Sequence, residues 1–207
     1  MTFDEAMREA AVAADNAVAS TMRKYSRGGI KDEPEVTAYL ISRLDEKFEG
    51  NIGGLIWNSS VVRNGSGSAA EETRIGADLL IHVSLNTPTQ SYSKGVLVQA
   101  KRSEPDDFVT QGELNRLNDQ CCKILNHTPS AFVFNYARDS MRCGAATRFA
   151  GSKDRRLYRQ CTWRSYRFFL ELFRCPIGDP RITSDLVDKL PVPSVIHLHA
   201  DGQFSDS

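Results

Sequence analysis

Apolar positions along the chain alternate between two periods. Three short runs, Asp78 to Val83, Gly95 to Val98 and Ala131 to Phe134, are rich in Val, Ile, Leu and Phe and bounded by turn formers, which predicts buried strands. Leu55 to Val62, after Gly53 and Gly54, predicts another, and Met141 to Ala145 a further short one. Helical spacing dominates elsewhere. Residues 3 to 24 are alanine-rich with interleaved charges, favouring a helix that Arg27, Gly28 and Gly29 end. Asp32 or Glu33 can cap a second helix with Pro34 in its first turn, whose stripe of Val36, Tyr39, Leu40 and Leu44 faces the core. A third runs from about Gln111 to Asn126, with Leu114, Leu117, Cys121, Ile124 and Leu125 on one side, and a fourth lies near Trp163 to Phe173. Asn64 to Ala70 reads as a mobile Gly/Ser turn, and Val192 to Ser207 as a short apolar run with a fraying polar tail.

The order helix, three strands, helix, strand, with an extra helix in front, is that of an α/β protein. At 207 residues the chain is long enough for a single domain with a sizeable core. We expect a core over about residues 33–136, a basic, largely helical extension over about 137–190, and a flexible tail over 191–207.

Charge and cysteine usage narrow the function classes. Lys plus Arg and Asp plus Glu each total 26, so net charge does not advertise a nucleic-acid partner. The charges are nevertheless segregated: residues 138–174 carry about +7 and residues 1–50 about −3. The five cysteines, 121, 122, 143, 161 and 175, form no CxxC pair and lie near no His at zinc-finger spacing, as expected of reduced cytosolic thiols. No run approaches the ~20 apolar residues of a membrane span, and residues 1–19 are acidic and alanine-rich, unlike a secretion signal. The expectation is a cytoplasmic protein with no membrane partner.

Polar residues at the ends of buried strands need a reason. If the runs at 78–83 and 95–98 form a hairpin, Asp78 faces Gln99 and Lys101, which share one face because side chains alternate along a strand. A carboxylate, an amide oxygen and the Ala100 carbonyl can then share one Mg²⁺. The Lys101 ammonium beside it can hold an attacking water and stabilise charge on a phosphate. Glu35, if its helix crosses the strand ends, can bind the metal through water or orient another ligand.

Glu35, then Gly76-Ala77-Asp78 on one strand and Gln99-Ala100-Lys101 on the next, resembles the PD-(D/E)XK nuclease superfamily, in the glutamine variant similar to Mrr-like restriction nucleases and to nuclease effectors of bacterial phage defence. The resemblance covers roughly residues 33–136, and Gln120 to Leu125 with Ala131 to Phe134 looks like the helix and strand that follow the catalytic lysine in that group. It implies a restriction-endonuclease-like fold, a mixed sheet of about four to five strands flanked by helices (α-βββ-α-β), and a Mg²⁺-dependent endonuclease in which Mn²⁺ can substitute. DNA is the favoured substrate. Catalytic residues would be Asp78, Gln99, Lys101 and Glu35, and metal ligands Asp78, Gln99, the Ala100 carbonyl and Glu35. Two departures stand out: Ala77 replaces the proline before the aspartate, and Gln99 replaces the first acid of the second motif, leaving the site one negative charge short.

Each residue also has a plainer reading. Asp78 can cap a turn after Gly76, Lys101 can be a solvated strand-end charge, and Glu35 can favour a helix N-terminus. Arg102, Gln120, Lys123, Arg155, Arg156 and Arg159 are candidates for contact with nucleic acid; for Gln120 and Lys123 an ordinary solvated helix side explains the residues about as well. The basic segment with Tyr158, Trp163 and Tyr166 can grip phosphates and stack on bases, or form a solvated face over a core of Phe168, Phe169, Leu172 and Phe173. His197-x-His199-x-Asp201 places two imidazoles on one strand face but lacks a third metal ligand. The rival functions are a nuclease-like module that binds nucleic acid or a partner without cutting, and an unrelated interaction protein. A nuclease with no evident specificity module is expected to have a regulatory or sensor partner, or to act as a homo-oligomer.

Overall fold

The computed structural model describes residues 1–63, 75–187 and 190–204; the turn expected at Asn64 to Ala70 lies outside them. Helix α1 (Phe3–Ser26) begins in a capping box, with the Thr2 hydroxyl accepting from the Glu5 N–H and the Glu5 carboxylate accepting from the Thr2 N–H. Its buried side is mostly alanine: Ala6, Ala10, Ala14 and Ala17 are fully buried, so neighbouring backbone approaches closely. Gly53 shows how closely, since a Cβ there would lie 2.7 Å from the Ala6 Cα. Asp32 caps α2 (Glu33–Lys47), accepting from the Glu35 N–H. Strands β1 (Gly50–Ile52), β2 (Leu55–Arg63), β3 (Leu79–Asn86) and β4 (Ser91–Arg102) follow, then α3 (Gln111–His127), β5 (Ala131–Ala137) and β6 (Ser140–Ala145). A 3-10 turn (Ala146–Arg148), α4 (Leu157–Gln160), β7 (Trp163–Arg164), α5 (Ser165–Phe173), α6 (Ser184–Val187) and β8 (Ser194–Asp201) complete the chain.

The protein is α/β, with one mixed eight-stranded sheet in the order β1-β2-β8-β3-β4-β5-β6-β7. On one sheet face α1, α2 and α5 bury Ala17, Leu40, Phe168, Phe173 and their neighbours against Trp57, Ile81, Val98 and Phe134. Beneath the other face, Leu114, Leu117, Cys121 and Ile124 of α3 cover Leu80, Leu97, Val133 and Val195. Hence α5 takes the core role of the two readings available for Phe168 to Phe173, with Phe48, Trp57 and Phe173 clustered at centroid distances of 4.9 to 5.6 Å.

Three expectations are corrected. The sheet has eight strands where four to five were expected, because β1, β7 and β8 add to it, and with β6 and β7 extending it past β5 the basic extension is not merely helical. The segment expected to fray supplies β8, in the interior of the sheet, antiparallel to β2 and parallel to β3. Its alternation explains this: Ile196, Leu198 and Ala200 enter one core, while Val195, His197 and His199 take the opposite face. The three strands expected before α3, β2, β3 and β4, therefore do not lie side by side in sequence order, since β8 separates β2 from β3.

Away from α3 the second face is polar. His82 is almost fully buried, with Nε2 2.9 Å from Ser93 Oγ and Nδ1 3.2 Å from His197 Nδ1. His199 Nδ1 meets Ser84 Oγ at 2.7 Å, and its Nε2 lies 2.7 Å from Asp201. Burial, aided by the nearby His197 and His199, holds the His82 pKa down to about 4. An unfolded chain takes up that proton near pH 6.5 while the fold does not, so stability falls as the pH drops from about 6.5 towards 4. The loss is expected to reach about 2 to 3 kcal/mol. Urea midpoints measured between pH 7 and 4.5 should show that slope, and His82→Asn should flatten it; equal slopes in both proteins would assign the loss to other groups.

Candidate active site

Asp78 precedes β3, and its N–H donates to the Val98 carbonyl at 2.9 Å, continuing the antiparallel register in which Leu79 faces Val98. That sets Asp78 opposite Gln99, as a hairpin requires. Gly76 makes the placement possible: its φ is +83°, and a Cβ there would lie 2.6 Å from the Gln120 carbonyl oxygen, so the chain enters β3 pressed against the backbone of α3.

Gln99 and Ala100 converge on the Asp78 carboxylate. The Ala100 N–H donates to Asp78 Oδ2 at 2.7 Å, and Gln99 Nε2 donates to the same oxygen and to the Ala100 carbonyl at 3.0 Å. Gln99 is fully buried, and its Oε1 has no hydrogen-bond partner among the described residues. An orphaned buried amide oxygen costs about 1 to 3 kcal/mol. Turning the amide by 180° about its last torsion would bring Oε1 to the same two neighbours. Three oxygens would then face one point, an arrangement that a hard cation stabilises and that suits Mg²⁺ with waters in its other positions. The donor set fits such an ion with one carboxylate and two neutral oxygens. Among the described residues, no three His, Cys, Asp or Glu side chains gather as a metal cluster.

Lys101 projects on the same face as Gln99, and its Nζ lies 3.3 Å from Glu33 Oε1, with the lysine side chain 19% exposed. Glu35, the expected acidic partner, does something else. Its Oε2 accepts from the Lys31 N–H at 2.7 Å while its own N–H is held by Asp32, so Glu35 closes the N-terminus of α2. Two helical residues are about 200° apart around the axis, so Glu33 and Glu35 point away from one another. Glu33 meets the lysine, and Glu35, expected to bind the metal through water or to orient a ligand, is engaged at the helix N-terminus.

α2 is held over the strand ends by Thr37, whose hydroxyl is 3.1 Å from the buried Tyr136 hydroxyl of β5, and by the Arg102 guanidinium donating to the Lys31 carbonyl. Burial raises the Tyr136 pKa, and the nearby charges of Glu33 and Asp78 raise it further, so the phenol stays protonated. Asn135 locks the exit of β4, exchanging 2.9 Å hydrogen bonds with the Ser103 hydroxyl and carbonyl. Sequence reasoning missed Glu33, Thr37, Tyr136 and Asn135; of these only Asn135, a polar residue inside an otherwise apolar strand, carried a signal.

The other candidates are dispersed. Gln120 is nearly buried on α3 with Oε1 lacking a partner among the described residues, and Lys123 is half-buried one turn later. Arg155 donates to the Val109 carbonyl, Arg156 pairs with Asp154 and lies over the Phe108 ring, and Arg159 is 4.0 Å from Asp106. These arginines fasten residues 153–159, the loop and start of α4, to the loop that follows β4. Cys121 is buried, which pushes its thiol up to about 12, so it is no thiolate nucleophile. No helix among the described residues is long and apolar enough to cross a membrane.

Comparison with family models, with curated proteins and with solved structures gives no match for the chain.

Proposed function

We propose that the protein is a Mg²⁺-dependent nuclease of the PD-(D/E)XK, restriction-endonuclease-like class, hydrolysing phosphodiester bonds in DNA. One observation carries this reading: the Asp78 carboxylate, the buried Gln99 amide and the Ala100 carbonyl meet at one point, with Lys101 on the same strand face as Gln99. An ordinary strand end gives no reason to bury an amide with its oxygen unsatisfied.

Asp78, Gln99 and the Ala100 carbonyl would hold the cation. Bound there, it would neutralise charge on the phosphate and acidify a water. Lys101 would donate to a phosphate oxygen or orient that water, and Glu33 would fix the ammonium. The water oxygen forms the new bond to phosphorus, the bond to the leaving oxygen breaks, and that oxygen takes a proton. The resemblance of the motif to defence nucleases favours restriction or phage defence as its setting. A cytoplasmic location and a regulatory partner or self-association accord with that role.

The test is incubation of the purified chain with plasmid, linear DNA and RNA, in Mg²⁺, Mn²⁺ or EDTA. Cleavage is expected with either metal, with DNA preferred, and should vanish in EDTA and in Asp78→Ala. Mg²⁺ should also raise the melting temperature of the native chain and not that of the variant. Metal-independent cleavage, or a variant as active as the native chain, would overturn the assignment; nucleic-acid binding with no cutting in either metal would instead indicate a binding module.

A further inference from the structure

Lys101 begins a row of residues that crosses the sheet. In register, Lys101 stands opposite Asn135, Asn135 opposite Arg142, and Arg142 opposite Arg164, so all four project from the same face. Strands lie 4.7 to 4.9 Å apart, which puts the backbones at Arg142 and Arg164 roughly 10 and 15 Å from that at Lys101. The row ends at the sheet edge, where a groove of about 720 Å³ straddles the two faces and is bordered by α1 from the face opposite the row. Arg142, Arg164 and Arg167 line it with Tyr158 and Tyr166.

The chemistry of the groove is that of a polyanion with flat faces. The Arg142 guanidinium lies 4.3 Å above the Tyr158 ring, and that of Arg167 4.6 Å from the Trp163 ring. Among the described residues none of the three guanidinium groups has a carboxylate within 4.0 Å, unlike Arg156 and Arg159 nearby. The two acids in the lining are otherwise engaged, Asp15 accepting from the Ser165 hydroxyl and Asp139 from that of Ser140. Arginines laid on aromatic rings offer charge to phosphates and planes to bases. The volume is that of a small-ligand pocket and suits a short single-stranded segment.

We propose that this groove holds a single-stranded nucleic-acid segment whose continuation leads towards Lys101, gripped at Arg142 and Arg164 and stacked on Tyr158 and Tyr166, with the buried Asn135 taking no part in the contact. The inference rests on the nuclease reading for where the strand leads, and on the groove alone for what it holds.

Fluorescence anisotropy of a labelled oligothymidylate with the full-length chain, in EDTA so that nothing is cut, tests it. Arg142→Ala/Arg164→Ala should weaken binding at least about tenfold and lower the salt slope by about 1.4, since each single-strand phosphate contact contributes ~0.7. Arg164→Ala alone, at an exposed position, keeps the test valid should the double variant fold poorly; it should lower the slope by about half as much. Unchanged affinity and slope in a folded Arg164→Ala variant would overturn the groove, and metal-dependent cleavage by the native chain would still stand. Loss of binding in the variants, with no cleavage by the native chain under any metal, would keep the groove and remove the nuclease.

Discussion

A chain ending at Pro193 is expected to lose cooperative folding altogether. β8 contributes eight residues paired to β2 and eight to β3, so its removal strips two ladders from the middle of the sheet. Val195, Ile196, Leu198 and Ala200 are fully buried in the two cores. The three larger of these side chains stabilise by about 1.5 to 3 kcal/mol each. The facing edges of β2 and β3 would also be left with unpaired backbone groups in the sheet interior. Set against a net stability of about 5 to 15 kcal/mol for a domain, that loss is most or all of the total. A chain ending at Gly202 keeps the strand and loses the edge-on contact of Phe204 with Phe3, so it is expected to melt cooperatively a few degrees lower. Near-UV circular dichroism and thermal melting of both truncations decide the matter. A cooperative transition near the native temperature in the shorter chain would mean that β2 and β3 can pair without β8.

The same strand shows what could be read from the chain and what could not. Local periodicity placed α1, α2, α3 and α5 and strands β2 to β6 near their observed positions, because each carries its own apolar stripe or run and its own stop. The site strands were legible for the same reason: Asp78, Gln99 and Lys101 sit where an antiparallel pairing of two apolar runs must put them. β8 was legible only in part: the alternation around His197 and His199 marks a strand, but its place in the sheet interior depends on pairing with strands more than a hundred residues earlier, which nothing local reveals. β7, two residues long, has no local signal at all. Within the site, the choice between Glu33 and Glu35 depended on the rotation of α2 about its axis. That rotation is set by the Thr37 to Tyr136 contact and by burial of Val36 and Leu40, none of which bears on a motif reading.

Among single substitutions the largest effect is expected at Lys101, and the sharpest contrast between the two glutamates. If the protein is the nuclease proposed above, Lys101→Ala removes the cation that would stand beside the phosphate, and positioned electrostatic groups of this kind are worth roughly 10²- to 10³-fold in rate. Metal binding should survive, because the proposed ligands are Asp78, Gln99 and the Ala100 carbonyl, so Mg²⁺ should still raise the melting temperature of this variant and not that of Asp78→Ala. Glu33→Gln keeps the shape but removes the charge that holds the ammonium 3.3 Å away, and cleavage should fall about tenfold as the lysine loses its fixed position. Glu35→Gln retains an oxygen that can accept from the Lys31 N–H, so the cap persists and the rate should stay within about twofold. Single-turnover cleavage of one linear DNA, with melting temperatures to verify folding, separates the three. If Glu35→Gln matched Glu33→Gln in its loss, the acid on α2 would act through the helix N-terminus as a whole and not through its contact with Lys101; if Lys101→Ala cut at the native rate, the ammonium would have no part in the chemistry.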